Sequence, residues 1–165
     1  MVPARGTVVS EDDGPRPGTT VEKLAELKPV FRPDGEVTAG NACPLNDGAA
    51  AVVVMSDTRA KELGITPLAR VVASGVTGLN PEVMGLGPVE AIKQALGRAG
   101  KSVDDIDLFE INEAFAAQVV PSARDLGISW DKLNTRGGAI AIGHPFGMTG
   151  ARIMTTLIHN LQESD

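Results

Sequence analysis

"PVEAIKQALGRAGKSVDDIDLFEINEAFAAQVVPSARDLG", Pro88 to Gly127, carries the reading of the fold. Its first third predicts a helix. Pro88 suits the first turn, where its missing N–H costs nothing. Val89, Ile92, Leu96 and Ala99 recur on one face, and Gly100 offers a left-handed stop. "SVDDIDLFEI" predicts a short capped turn and then a strand from Ile106 to Ile111. Glu113 to Gly127 predicts a second helix, which Pro121 is expected to kink or break. Helix, strand, helix in about forty residues is the repeating unit of an α/β layered fold.

The same alternation extends outward. Upstream, "AAAVVVMS" (Ala49 to Ser56) is an unbroken apolar run, as expected of a strand buried on both faces. "DTRAKELG" (Asp57 to Gly64) follows as a helix with Asp57 as candidate N-cap and Gly64 as stop. "ARVVASGVTG" (Ala69 to Gly78) reads as another strand. Downstream, "ARIMTTLIHNLQES" (Ala151 to Ser164) is helical, with Ile153, Met154, Leu157, Ile158 and Leu161 on one face and His159 at the surface. Near the start, "SEDDGPRPGTT" reads as loop. "TVEKLAELKPVF" reads as a short helix ended by Pro29. The order predicts a layered α/β fold with a mostly parallel sheet.

Composition narrows the function. The 165 residues are 42% apolar and 22% charged, ordinary for a globular domain. The net charge of −6 comes without a Lys/Arg block, and aromatics are only 3%. That argues against nucleic acid as a partner. No run approaches the length of a bilayer span, and the N-terminus lacks the apolar segment of a secretory signal. The single cysteine rules out an internal disulfide and fits a reducing, cytoplasmic compartment. No HExxH, paired CxxC or EF-hand pattern supports a metal site. "GLGPVE" lacks the third glycine of a dinucleotide fingerprint, and "GHPFGMTGA" lacks the lysine of a phosphate-binding loop.

Three residues invite chemistry. His144 lies in "GGAIAIGHPFGMTGAR" (Gly137 to Arg152), a run with five glycines and one of the two histidines. An imidazole there can take a proton from a thiol or stabilise an oxyanion. A histidine simply held by a backbone carbonyl is the commoner case. Asn112 falls where the Ile106–Ile111 strand runs into a helix. That is the end of a strand where ligands gather in open α/β sheets. Capping the helix, with Glu113 in its first turn, is the simpler reading on spacing. A carboxamide holding a water or an oxyanion is the functional one. Cys43, in "GNACPLNDG", is followed by Pro44 and so lies on an extended or turn segment rather than at a helix N-terminus, and it reads as a small apolar side chain or a loop thiol.

Taken together, "TAGNACPLNDGAAAVVVMS", "VMGLGP", "INEAFAAQ" and "NTRGGAIAIGHPFGMTGAR" resemble the second half of a thiolase. That family makes or cleaves 3-oxoacyl-CoA. The likeness runs from about Gly6 to Gln162, and "NEAFAAQ" with "GGAIAIGHP" separates thiolases from the wider ketosynthase group. The resemblance implies a thiolase-like layered fold with an incomplete C-terminal half. Residues 1–66 would hold the end of the loop region and the last strand of the N-terminal half. Residues 67–165 would form the C-terminal domain, truncated before its last strands.

The resemblance implies roles as well. His144 would activate a nucleophilic cysteine and help form an oxyanion hole, and Asn112 would hold the water completing it. Met84 and Phe115 would line the acyl pocket. Ala39 to Leu45, with Cys43 where many relatives carry serine, would wall the pantetheine arm of coenzyme A. Arg136 and Met148 depart from the residues usual at those positions. Acyl-CoA would be the substrate, with no resident cofactor, and the full-length family member would be a homo-oligomer. The nucleophilic cysteine and the second, acid/base cysteine of family members lie in segments absent from this sequence. Turnover by the chain alone is therefore not expected. A non-catalytic CoA- or acyl-binding piece, or a structural half needing a complementing chain, are the alternatives.

Overall fold

A computed structural model describes residues 2–4 and 7–164. The remaining four positions, which include the first residue of segment 1–66 and the last of segment 67–165, lie outside that description. The elements are β1 (Val2–Ala4), β2 (Thr7–Val9), α1 (Val21–Ala25), α2 (Asp57–Glu62), α3 (Gly87–Ala99), α4 (Ala116–Leu126), α5 (Ala139–Ile142) and α6 (Phe146–Glu163). Two 3₁₀ turns, Pro81–Leu86 and Trp130–Lys132, precede α3 and follow α4.

The core forms where the sequence alternates helix, extended chain and helix. Val89 of α3, Phe109 and Ile111 of the segment between, and Val119, Ala123 and Leu126 of α4 are buried together. Ile128 and Leu133 close the cluster, and Ile92, Val103 and Ile106 pack on its edge. α3 ends at Gly100 and α4 at Gly127, each in the left-handed region with φ of 65° and 70°. Pro121 does not break α4, which continues to Leu126. Its ring removes the one N–H that the carbonyl of Ala117 would have accepted from, and its side chain is half-buried on the wall of an apolar cleft.

The Phe109–Asn112 segment is extended but pairs with little backbone. Phe109 forms one parallel bridge with Leu133. Phe109 N donates to Lys132 O at 2.7 Å and Asn134 N to Phe109 O at 2.9 Å. The partner segment then turns away at Asn134, whose φ is +48°. Its side-chain amide takes over the ladder, accepting from Ile111 N and donating to Ile111 O, both at 2.8 Å. The carboxamide thus imitates the next peptide, and it sets the register of Glu110 and Asn112.

The expected strands over Ala49–Ser56 and Ala69–Gly78 have no ladder. The only sheet among the described residues is the antiparallel hairpin β1–β2. The mostly parallel sheet is therefore not formed among the described residues. The reason is physical: an extended run becomes a strand only when another backbone meets its N–H and C=O groups. Val53 and Val54 are 85% and 78% exposed, and Val76 is 82% exposed. Ala69–Gly78 instead lies along α3, where Arg98 Nη1 donates to Ser74 O at 2.5 Å and Val76 N donates to Gln94 Oε1 at 3.3 Å. Gly75 permits that approach, because a Cβ there would fall on the carbonyl of Ala91.

Local capping differs in detail from the sequence expectation. α2 is capped by Ser56, whose side chain accepts from Arg59 N, and not by Asp57, which is the first helical residue. α1 is one short turn beginning at Val21, capped by Thr20. The glycine run after Asn134 is not one flexible loop. It contains α5, a sharp turn at Gly143, and α6, which starts at Phe146 and takes in Gly147 and Gly150. No helix among the described residues is long and apolar enough to cross a membrane.

Candidate active site

His144 occupies the short link between α5 and α6. Gly143 makes the turn possible with a φ of +92°, and a Cβ there would fall on the side chain of Asn46. Its close approach is thus to this chain's own Asn46. Asn46 Nδ2 donates to Ile142 O at 2.9 Å, which pins residues 46–48 across the histidine turn. Gly48 continues that contact: a Cβ there would lie 2.6 Å from Met148 Sδ and 3.0 Å from Pro145 Cγ. His144 is half-buried. Its Nδ1 lies 2.6 Å from Thr149 Oγ1, and its ring tilts against Phe146 with centroids 5.1 Å apart.

Asn112 does not cap α4. The N-cap is Phe115, with no side-chain cap bond, and Asn41 O accepts from Ala116 N at 2.9 Å instead. Asn112 Oδ1 accepts from Arg152 Nη2 at 3.3 Å. Glu113 is likewise outside the helix, and its Oε2 accepts from Ala139 N at 2.5 Å. The carboxylate sits where a side chain on Gly138 would otherwise be.

The two candidate groups are therefore tied to one surface. Thr149, which meets His144, and Arg152, which meets Asn112, are three residues apart on α6 and both buried. Residues at that spacing project from the same helix face. A second tie runs along residues 41–48. Ala42 bridges Phe115, Cys43 N donates to Ala114 O at 3.1 Å, and Asn46 then reaches the histidine turn.

Beside Asn112 lies a buried charge pair. Glu110 and Arg152 side chains are 3% and 10% exposed, with Oε2 and Nη1 3.9 Å apart. Among the described residues, Glu110 Oε1 and Arg152 Nε and Nη1 have no hydrogen-bond partner. Burial raises the Glu110 pKa above the ordinary carboxylate value; Arg152 opposes the rise and Glu113 adds to it. Neither Glu110, Thr149 nor Arg152 stood out in the sequence. Only the spacing of Thr149 and Arg152 along one helical face, in the turn after His144, could have flagged two of them.

The other expected contact residues divide. Phe115 stacks edge-on against Phe31 with centroids 5.8 Å apart. Both line an apolar cleft of about 630 Å³, with Val37, Val83, Leu86 and Pro121. Met84 is not in that lining; it projects from the first 3₁₀ turn and is 70% exposed. Cys43 is a free, half-buried thiol on extended chain. Ala39 and Leu45 do not share its position: both are exposed, Leu45 completely. Leu45 and Met84 are thus large apolar side chains that little in this chain covers. His159 is exposed, as its helical position suggested.

Two family models cover almost the whole sequence: the thiolase C-terminal domain over residues 65–165 and the thiolase N-terminal domain over residues 2–58. The chain belongs to the thiolase family. A probable acetyl-CoA acyltransferase of Staphylococcus epidermidis is 52% identical over 157 residues, which is 95% of this thiolase chain and 40% of that protein. An acetyl-CoA acetyltransferase of Pseudomonas aeruginosa is 53% identical over 154 residues, 93% of this chain and 39% of its own length. The crystal structure of the Bacillus anthracis acetyl-CoA acetyltransferase superposes with a TM-score of 0.91 at 49% identity, covering 99% of this chain and 42% of that one. Human mitochondrial 3-ketoacyl-CoA thiolase in complex with CoA gives 0.86 at 46% identity, covering 97% and 40%. This thiolase chain thus spans about 40% of the length of the relatives it matches. The thiolase-like fold expected from the motifs is the fold observed. Its helices and connections reproduce the corresponding part of a thiolase, even where its extended runs lack strand neighbours.

Proposed function

We propose that this chain contributes the histidine and asparagine side of a thiolase active site, acting in acyl transfer between coenzyme A thioesters. The observation that carries the reading is the attachment of His144 and Asn112 to Thr149 and Arg152, one turn apart on α6.

In that reading a cysteine supplied by the remainder of a thiolase attacks the thioester carbonyl. His144 accepts the thiol proton, the acyl–cysteine bond forms, and the C–S bond to coenzyme A breaks as a proton passes to the departing sulfur, so that coenzyme A leaves as the thiol. The negative charge passes through the carbonyl oxygen, where donors from His144 and a water held by Asn112 lower the barrier. In condensation the carbanion of acetyl-CoA then takes the acyl group and frees the cysteine. In thiolysis, the reverse, the cysteine attacks the 3-oxo carbonyl and the C2–C3 bond breaks. The departing acetyl-CoA carbanion is protonated by an acid of the remainder, and the thiol of coenzyme A takes the acyl group. Cys43 is the only cysteine of the chain, and its backbone N–H is bonded to Ala114 at the far end of the segment that reaches His144. It fits a wall residue along the coenzyme A arm, together with Ala39 and Leu45. Phe115, with Met84 at the rim, fits the acyl-chain side. Coenzyme A is the substrate carrier here, and homo-oligomerisation belongs to the complete enzyme.

A chimera tests the proposal. The matching segment of the Bacillus anthracis relative is replaced by this chain, and thiolysis of acetoacetyl-CoA is followed. The chimera is expected to turn over, and His144→Ala and Asn112→Ala within it to lose activity by about a hundredfold or more. A folded chimera in which both substitutions leave the rate unchanged overturns the assignment. The 165-residue chain alone is expected to show no thiolysis, because one cysteine cannot both hold the acyl group and move the second proton.

A further inference from the structure

Thr149 and Arg152 are buried, at 6% and 8% exposure, although both are polar. What each hydrogen-bonds fixes the state of the group it meets.

The Thr149 hydroxyl has one proton. Its Oγ1 stands 3.0 Å from the carbonyl of Pro145, four residues earlier, and a carbonyl can only accept. This is the usual back-bond of a helical threonine. With that proton engaged, the 2.6 Å contact to His144 Nδ1 needs a proton from the ring. The neutral imidazole then carries its hydrogen on Nδ1 and keeps a lone pair on Nε2. Arg152 has only donors, so the amide atom facing its Nη2 is the oxygen of Asn112. The Nδ2 hydrogens of Asn112 are turned the other way. Glu110, 3.9 Å from Nη1 of the same guanidinium, holds Arg152 in the buried position this requires.

We propose that Thr149 and Arg152 are positioning residues that set, from one face of α6, the proton on His144 and the amide orientation of Asn112. The result is a complementary pair directed at the reacting atoms: a proton acceptor on Nε2 and a hydrogen-bond donor on Nδ2. The value of that pair for acyl transfer rests on the function proposed above; the placement of the proton and the amide does not.

The test is a long-range proton–nitrogen correlation spectrum of the full 165-residue chain, recorded where the imidazoles are neutral. His159 is the only other histidine and is exposed, so it supplies the reference pattern of a free ring. His144 is expected in the Nδ1–H form, against the Nε2–H preference of His159. Thr149→Val is expected to return His144 to the reference pattern, and Thr149→Ser to restore the Nδ1–H form. For the second half, Asn112→Asp keeps an acceptor toward Arg152 and is expected to retain the thermal midpoint. Asn112→Leu removes the acceptor and is expected to lower it. An Nε2–H form of His144 in the unaltered chain, or equal losses in the two Asn112 variants, overturns the proposal. The unaltered spectrum needs no variant to fold. No substrate is used, so an inactive chimera leaves this result standing, and the reverse also holds.

Discussion

Arg152 stands between two partners it satisfies unequally: Nη2 is 3.3 Å from Asn112 Oδ1, while Nη1 is 3.9 Å from Glu110 Oε2. Both charges are almost out of water, and three of their polar atoms lack a hydrogen-bond partner among the described residues. A buried pair of this kind adds little net stability, because desolvation consumes most of the attraction. Removing one member is another matter, since it strands the other. Arg152→Met is expected to cost about 3–5 kcal/mol. The double replacement Glu110→Leu with Arg152→Met is expected to recover most of that loss. Urea unfolding of the unaltered chain, Arg152→Met, Glu110→Leu and the double variant checks it; a double variant as unstable as the sum of the two singles contradicts it.

Glu110 also gives stability a pH dependence with a definite sign. Its carboxyl pKa is raised in the folded chain, by burial first, with Glu113 adding and Arg152 opposing. The native state therefore holds this proton more tightly than the unfolded state. The contribution is complete below the unfolded value of about 4.3 and is lost as pH rises through the folded value. Asp105 has the opposite sign. The Ser102 backbone N–H and hydroxyl lower its pKa, so its contribution is present above about 3.9 and disappears as pH falls. Unfolding midpoints are expected to decline from mildly acidic pH upward, and Glu110→Gln to flatten that decline while leaving the acid limb in place. An unchanged decline in the variant assigns it to another group.

The parts legible in the sequence were those decided by neighbours in the chain. The Val89–Ile92–Leu96 stripe, Gly100 and Gly127 marked α3 and α4 to within a few residues, because capping and amphipathic spacing act over one or two turns. His144 and Asn112 became candidates only through motif resemblance; spacing alone favoured a helix cap for Asn112. What was not legible depends on distant residues. The apolar run Ala49–Ser56 has the composition of a buried strand, but composition cannot supply the backbone that pairs with it. Asn134 could not be seen to continue a ladder with its side chain, since that needs Ile111 brought alongside from 23 positions away. Arg152 read as one more residue on a helix, because its partners lie 40 and more residues upstream.

Gly143 is the hinge on which His144 is presented, and its role is steric twice over. Its φ of +92° is unfavourable for any residue with a Cβ, and that Cβ would collide with Asn46. Gly143→Ala is expected to destabilise the chain by about 1–3 kcal/mol and to detach residues 46–48 from the histidine turn. Loss of protection at the amides of that segment in hydrogen exchange reports the detachment. Gly147 is the control. It lies within α6, and a Cβ added there would meet nothing within 4 Å. Gly147→Ala is expected to be neutral or mildly stabilising. Equal effects at the two glycines contradict the steric account.

The extended runs bear on how the chain behaves in solution. Val53 and Val54 are 85% and 78% exposed, and Val71, Val72 and Val76 are 66%, 66% and 82% exposed. Such runs combine strand-forming side chains with backbone groups that no ladder satisfies, the state in which edges pair with other chains. The isolated chain is expected to associate with itself as concentration rises. A charge in the middle of each run opposes that pairing at little cost to the core, which contains none of these valines. Val53→Lys with Val72→Lys is therefore expected to lower the sedimentation-average mass toward that of the monomer, 17.1 kDa, without changing stability by more than about 0.5 kcal/mol. A chain already monodisperse at 17.1 kDa before any substitution shows the exposed valines to be harmless, and the account of these runs as unpaired strands then fails.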